Sequence, residues 1–334
     1  MPGTARHEQK RAPGGKLSNP DRLELYYYMR LARECDDAVL RLYRQGKIVG
    51  GAYTGNGNEA TAVGSAYALE KRDYLFPMHR DLGAHLVKGQ SVKNMFLQQL
   101  ARGNSLTRGR DGTGHYADPA NRIYGNVSHL GAMIPMAVGV ALAASMRKEG
   151  AVVMNYIGDG GSSTGEFHEG LNMAAVMKLP FILIIENNQF AYSTPVGKQS
   201  ASQKLSDRAS GYGIPGVTID GTNVSLVFEA CARAVDRARR GEGPTLIESV
   251  TMRMQGHSAA DDASYVPEEM IVEWRKKDPI ARLEKILLAD HVLNEQSKKT
   301  MDEAIAAEIE EAVAFALESE YPPAEDAGEG VYAP

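Results

Sequence analysis

Two apolar runs, AVVMNYIG at residues 151–158 and FILIIEN at 181–187, flank a stretch with helical spacing from about Glu166 to Met177. Strand, helix and strand in so short a span read as a crossover between parallel strands, which is right-handed in nearly all known cases. The pattern calls for an open α/β sheet with helices on its faces. Ligands of such sheets collect beyond the carboxyl ends of the strands. A further helix from Leu226 to Arg240 and the strand TLIESVTMR at 245–253 extend the same sheet, making it largely parallel.

Around this core the chain reads as mostly helical. Ser18 or Asn19 caps a helix with Pro20 in its first turn, and Leu23, Tyr27, Leu31, Ala38 and Leu42 keep helical intervals until Gly46 stops it. Residues 50–125 are glycine-rich, which predicts loops held against other surfaces, with short helices such as Val92 to Ala101 between them. A small-residue helix runs from Ile134 to Lys148, and the C-terminal part predicts helices around Glu268 to Ala289 and Glu295 to Glu318. Residues 1–19, rich in Gly, Pro and charge, form the expected flexible tail; Glu8 and its shortness argue against a transit peptide. A second tail spans 321–334, leaving 20–320 as one domain.

Composition excludes several classes. With 37 basic and 42 acidic residues the net charge is -5, which argues against nucleic acid as a partner. No apolar run reaches the ~20 residues that cross a bilayer, so no membrane partner is expected. The two cysteines, Cys35 and Cys231, have no neighbour at metal or redox spacing, which predicts structural thiols in a reducing, cytoplasmic compartment, or the mitochondrial matrix in a eukaryote.

The chemistry concentrates in residues 158–195. Asp159 ends one predicted strand and Asn188 the next, so the crossover sets them side by side. A carboxylate, an amide oxygen and a backbone carbonyl just beyond, at Phe190, supply part of an octahedral magnesium shell and leave positions for phosphate oxygens. Gly158, Gly160, Gly161, Ser162 and Ser163 let the backbone approach a diphosphate at the start of the following helix. Taken singly, a Gly-Asp-Gly turn or an Asn pair after a strand is ordinary turn chemistry; together, at this spacing, they point to a magnesium diphosphate site. No G-x-G-x-x-G opens a helix after the first strand and no Walker lysine follows, which disfavours an NAD-dependent dehydrogenase.

This segment resembles the thiamine diphosphate signature, which begins with Gly-Asp-Gly and closes with paired Asn. The chain is similar, over roughly residues 20–320, to the alpha subunits of thiamine-diphosphate-dependent 2-oxoacid dehydrogenases, the pyruvate, branched-chain and acetoin E1 family. The resemblance implies the thiamine-diphosphate-binding fold (its diphosphate-binding domain) with an N-terminal helix and a C-terminal helical extension. In FPMHRDLGAH, Arg80 matches the arginine of a Tyr-Arg pair that holds the diphosphate, and His79 replaces the tyrosine. In NVSHLGAMIPMAVG, Ser128 and the Leu130 carbonyl match contacts to the aminopyrimidine ring. In MRMQGHSAADDASY, His257 matches the catalytic histidine and Arg253 lies four residues before it. His115, in GTGHYADP, matches another active-site histidine, although a loop histidine with a structural hydrogen bond is the plainer reading. The plain reading of Arg80 is a surface ion pair with Asp81 or Asp73. His129 and His168 match no family role.

The resemblance further implies oxidative decarboxylation of a 2-oxo acid and reductive acylation of the lipoyl domain of an E2 acyltransferase. The glutamate that activates the cofactor belongs to a pyrimidine-binding domain, expected on a separate beta subunit in an alpha2beta2 heterotetramer. The substrate stays open: Ser128, Leu130 and the Asp261, Asp262 pair look branched-chain-like, while Gly158 to Gly160 and Glu186 to Asn188 look like pyruvate and acetoin enzymes. Ala132 and Met133 stand where the branched-chain subunit places Thr and Gln for potassium. Ser258 matches a regulatory phosphorylation position, and Val266 replaces an arginine. A non-catalytic assembly module is disfavoured because Asp159, Asn188, Arg80 and His257 are all present.

Overall fold

The computed structural model describes residues 16–331 apart from 113, 126 and 127. Most of the expected first tail, and Asn126 and Val127 of the segment before Ser128, therefore lie outside the described residues.

Helix α1 (Asn19–Arg44) opens on a capping box: Ser18 Oγ accepts from the Asp21 amide at 3.3 Å and Asp21 Oδ2 accepts from the Ser18 amide at 2.9 Å. Its apolar stripe packs Leu25, Tyr26, Met29, Cys35 and Val39 out of solvent. The glycine-rich stretch that follows is more ordered than its composition suggests. It contains α2 (Glu59–Tyr67), buried on every side among α1, α3 (Leu82–Val87) and α7 (Val224–Arg239). A helix with no exposed face carries no amphipathic period, so periodicity could not reveal it. Beyond it come β1 (Tyr74–Phe76) and α4 (Val92–Gln99).

The crossover predicted from residues 151–187 is present as β2 (Val153–Gly158), α6 (Gly165–Val176) and β3 (Phe181–Asn187), with α5 (Met133–Met146) packed on α6. A short antiparallel pair, β4 (Phe190–Ala191) and β5 (Thr194–Pro195), forms a hairpin after β3. Adding β6 (Gly216–Asp220) and β7 (Thr245–Val250), the main sheet runs β1-β2-β3-β7-β6 with every pairing parallel. The two edge strands were not predicted: β1 has three residues, too few to display a period of two.

Register aligns the strand ends. Gly158 pairs with Glu186 and Asn187 with Val250, so Asp159, Asn188 and Thr251 leave three neighbouring strands at one edge of the sheet. The ladder continues past them, with the Thr251 amide donating to the Asn187 carbonyl at 2.9 Å and the Arg253 amide to that of Asn188 at 3.3 Å.

Residues 268–289 form two helices, α8 (Glu268–Arg275) and α9 (Pro279–Ala289). The break falls where Pro279 disfavours helix in the residue before it and Asp278 caps the new start. Helix α10 (Glu295–Glu318) packs on α1 and α4. No helix is long and apolar enough to cross a membrane among the described residues. Both cysteines are buried and free, and burial pushes the Cys231 thiol up to about 12, which keeps it protonated and inert.

Candidate active site

The carboxyl edge of β2, β3 and β7 gathers most of the residues singled out from the sequence. Asp159 is 2% exposed, its amide donating to the Glu186 carbonyl at 3.2 Å. Burial raises its pKa, opposed by hydrogen bonds from Gln199 and the backbone at the turn. Asn188 is buried on the next strand end, and the carbonyl of Phe190 faces Arg253, whose Nη1 donates to it at 3.2 Å. The two chain turns touch: a Cβ placed on Gly160 would lie 2.4 Å from the Ala191 Cβ. One on Gly161 would meet Ile157 at 2.5 Å and the Leu130 Cβ at 3.3 Å, which brings Leu130 against the same turn. A Cβ on Gly158 would meet nothing within 4 Å. Ser162 is buried and turns inward, its hydroxyl donating to the Asp159 carbonyl at 2.6 Å. Among the described residues no cluster of three or more His, Cys, Asp or Glu is placed to hold a metal. The grouped donors are instead one carboxylate, one amide and one carbonyl.

Two buried guanidinium groups converge here. Arg80 donates from Nη1 to the Thr54 carbonyl at 2.9 Å and from Nη2 to the His257 carbonyl at 2.6 Å. Arg253 donates to the carbonyls of Phe190 and Tyr192 and, at 2.6 Å, to the Tyr265 hydroxyl. Among the described residues neither makes an ion pair with a carboxylate, so the surface-pair reading of Arg80 does not describe this structure. Asp73 pairs instead with Arg239 at 2.8 Å, and Asp81 accepts from the Met78 amide. Burial, then the charge of Arg253, lowers Arg80 to about 10. Two desolvated cations, one of which, Arg253, acts on Asp159 of the glycine turn, suit a bound anion.

His257 joins this group through its backbone. Its imidazole is pushed down to about 4 by burial and by the charges of Arg80 and Arg253, with Asp261 opposing, so the ring is neutral near pH 7. Its Nδ1 faces Arg80 Nη2 at 3.4 Å. A guanidinium offers no acceptor, so the proton of the neutral ring belongs on Nε2. Asp261 shapes the loop, accepting from the His257 amide at 2.5 Å, the Ala263 amide at 3.1 Å and the Tyr265 hydroxyl at 2.6 Å.

The remaining predicted residues lie near by. His79 stacks edge-on against Tyr53 with ring centroids 4.9 Å apart, and its Nε2 is shielded from solvent without a partner among the described residues. Burial and then Arg80 lower its pKa, and His257 and His115 act on it in the same direction. His115 Nε2 lies 2.7 Å from Ser128 Oγ, which joins two segments predicted separately. His168, on α6, contacts the Tyr212 hydroxyl of the 3-10 segment Leu205–Tyr212.

Sequence reasoning missed several participants. Tyr53 and Tyr192 enclose the His257 ring, with centroids 5.6 and 4.6 Å away. Tyr265 bridges Arg253 and Asp261. Arg208 donates to the Ser162 hydroxyl at 2.8 Å, and Gln199 donates to Asp159. Asp81 and Glu186 form a buried carboxyl pair behind Arg80, with burial raising Asp81 to about 6 and Glu186 well above its usual range. Asp81, Glu186, Tyr192 and Tyr265 lie inside the segments quoted above without a role of their own there, and Tyr53, Gln199 and Arg208 lie outside them. A cavity of about 260 Å³ lies on another side of the 252–255 segment, lined by Arg33, Asn56, Met252, Trp274 and Arg275. Arg33 is already paired with Glu59 and Asp278, and the glycine turn takes no part in that cavity.

Comparison with known proteins identifies the family. Residues 27–325 match the family described as Dehydrogenase E1 component. The chain is 39% identical over 320 residues to the 2-oxoisovalerate dehydrogenase subunit alpha of Bacillus subtilis (strain 168), covering 95% of this chain and 97% of that one. It is 38% identical over 297 residues to the pyruvate dehydrogenase E1 component subunit alpha of Acholeplasma laidlawii, covering 88% and 83% respectively. The corresponding subunit of Staphylococcus aureus (strain Mu50) is 38% identical over 299 residues, covering 89% and 78%. With a match over so much of its length, the chain belongs to the dehydrogenase E1 component family.

Proposed function

We propose that the chain is the alpha subunit of a thiamine-diphosphate-dependent 2-oxoacid dehydrogenase and holds the magnesium diphosphate end of its cofactor. The observation that carries this reading is the pair of buried arginines, Arg80 and Arg253, without carboxylate partners among the described residues, converging on the His257 loop and on the hairpin that packs against the Gly158–Ser163 turn. The donors suit the group: Asp159, Asn188 and the Phe190 carbonyl are hard oxygen donors of the kind magnesium takes, Gly158 leaves open space at its Cβ position, and Gly160 lets the turn close on Ala191. The backbone of Gly160, Gly161 and Ser162 would meet the diphosphate, the Ser162 hydroxyl being turned inward to the Asp159 carbonyl. Ser128, the Leu130 carbonyl and His115 meet the aminopyrimidine, and His79 stands beside Arg80.

The cofactor, when bound, supplies the electron sink for decarboxylation. The protein's part is to place and shield it. His257, neutral and with its proton on Nε2, presents a donor for the stage at which the acyl group passes to lipoyl. Asp261 and Tyr265 hold its loop, and Arg80 ties that loop to the diphosphate end. The domain occupies residues 20–320, its partners are a beta subunit in an alpha2beta2 heterotetramer and the lipoyl domain of an E2 acyltransferase, and the compartment is the cytoplasm. Relatives named for 2-oxoisovalerate and for pyruvate dehydrogenases are 39% and 38% identical, which supports a 2-oxo acid of one of these two kinds as the substrate.

Co-expression with the cognate beta subunit tests the proposal. The purified assembly should have the mass of a heterotetramer and reduce ferricyanide with pyruvate, 2-oxobutyrate or a branched 2-oxo acid, only with thiamine diphosphate and magnesium. Turnover of acetoin alone would move the chain to the acetoin enzymes. Activity of the isolated chain would refute the two-subunit site.

A further inference from the structure

Gln199 lies outside every motif, at the end of the 3-10 turn Val196–Lys198 that follows the β4–β5 hairpin. The turn folds back so that its carboxamide reaches Asp159 from the far side of the hairpin. Both N–H bonds of Nε2 are committed, one to Asp159 Oδ2 at 2.8 Å and one to the Thr194 carbonyl at 2.8 Å. Because both partners are pure acceptors, the orientation of the amide is fixed by chemistry. Its Oε1 is then directed away from Asp159, buried, and without a partner among the described residues. It sits 3.5 Å from where a Cβ on Gly160 would be, over the turn read as the diphosphate cradle. A buried acceptor left unpaired is costly and calls for a donor that arrives with the ligand.

We propose that Gln199 is a positioning residue for the metal site: its Nε2 fixes the Asp159 carboxylate, and its buried Oε1 accepts from a water of the bound magnesium's shell. This rests on the reading of Asp159 as a magnesium ligand. A carboxylate at the end of a strand can rotate about two bonds, and magnesium demands near-octahedral geometry with reluctant loss of water, whereas calcium tolerates irregular shells. A partner that locks the carboxylate therefore favours magnesium over calcium, and second-shell hydrogen bonds of this kind change metal affinity by about 10–100-fold. Gln199 also ties the 190–200 hairpin, which carries the Phe190 carbonyl, to the same carboxylate.

The test uses the chain assembled with its beta subunit. Thiamine diphosphate binding is followed by calorimetry as a function of magnesium and, separately, calcium, for wild type, Gln199→Met, Gln199→Ala and Asp159→Ala. Methionine keeps the length of glutamine and loses the donors. Both Gln199 variants should raise the half-saturating magnesium concentration by at least about tenfold, with calcium affected several-fold less. Unchanged magnesium dependence and an unchanged magnesium-to-calcium ratio in both variants would overturn the proposal. So would an equal loss for the two metals, the signature of a merely structural contact. Asp159→Ala separates the two layers: if it retains ordinary magnesium dependence, the metal-site reading itself fails, whereas loss in Asp159→Ala beside unchanged Gln199 variants condemns only the role of Gln199.

Discussion

Arg80 Nη2 lies 2.6 Å from the carbonyl oxygen of His257 and 3.4 Å from its Nδ1. One guanidinium thus faces the proposed diphosphate end, holds the backbone of the 256–265 loop, and fixes which imidazole nitrogen carries the proton. The chain positions are 177 residues apart, and the contact exists because β1 and β7 end at the same edge of one sheet. Cofactor capture and loop order are therefore linked through one side chain.

Replacing that side chain with Arg80→Lys keeps the charge but loses the fork that reaches the Thr54 and His257 carbonyls together. Thiamine diphosphate affinity of the assembled enzyme should fall by about 10–100-fold, equivalent to roughly 1.4–2.8 kcal/mol. The 256–265 loop should become more sensitive to limited proteolysis. Wild-type affinity with a protected loop would show that the fork is dispensable.

The neutral state of His257 predicts a split between two assays. His257→Ala removes a donor needed at acyl transfer, so lipoyl-dependent turnover should drop by about 10²-fold or more. Ferricyanide-coupled decarboxylation should lose far less. Equal losses would assign His257 to cofactor binding instead. Ser258, beside it, should be dispensable in both assays, and a phosphate there would add charge next to Asp261 and Asp262 and disorder the loop.

The central crossover and its two strand-end residues could be read from the sequence because buried strands and a covered helix impose local periods, and because parallel topology then dictates which ends meet. What stayed hidden depended on distance in the chain. The bridge from Arg253 through Tyr265 to Asp261 uses side chains whose types are unremarkable until the loop is folded. Helix α2 escaped because all of its faces are buried. Its glycine-rich surroundings predict loops held against other surfaces, and within the chain Gly55 closes on the Arg80 carbonyl and Gly57 on that of Met252. The small-residue helix α5 behaves differently. Met136 and Met146 on it are exposed, as are Met173, Val176 and Met177 on the adjoining α6. An apolar face of this kind is what a subunit contact requires.

Asp36 offers a pH test behind Arg80, on whose guanidinium its charge acts. It is buried in α1, accepts from the Gly55 amide at 2.8 Å, and burial raises it to about 8 against the opposing effects of Gly55 and Arg33. The folded state therefore binds a proton that the unfolded chain releases near pH 4, and stability contributed by that proton is lost as pH rises through about 8. Asparagine keeps the acceptor for Gly55 and does not titrate. The stability of Asp36→Asn relative to wild type should grow between pH 4.5 and 7.5, by at most about 1.4 kcal/mol per unit. Parallel urea midpoints across that range would show that Asp36 stays ionised in the fold.

The contact between Gly160 and Ala191 permits a sharper experiment, because only one obstacle stands in the way of a side chain. Gly160 has φ -63° and ψ -46°, a conformation any L-residue adopts, so alanine there carries no backbone strain. Its Cβ would lie 2.4 Å from the Ala191 Cβ, while the next nearest atoms, Ala191 Cα and Gln199 Oε1, are 3.4 and 3.5 Å away. Gly160→Ala must therefore push the Asp159 turn and the 190–195 hairpin apart, separating Asp159 from the Phe190 carbonyl. Magnesium-dependent cofactor affinity should fall by about tenfold or more, in line with the 1–3 kcal/mol typical of overpacking. Ala191→Gly alone should cost only about 0.5–1 kcal/mol of stability through lost backbone restriction. In the double variant the clashing methyl is gone, and affinity should return most of the way to wild type, giving a coupling energy of about 1–2 kcal/mol in a double-mutant cycle. If affinity does not recover, the methyl at position 160 must be obstructing the ligand side of the turn, and the packing of turn on hairpin is not what sets the metal geometry.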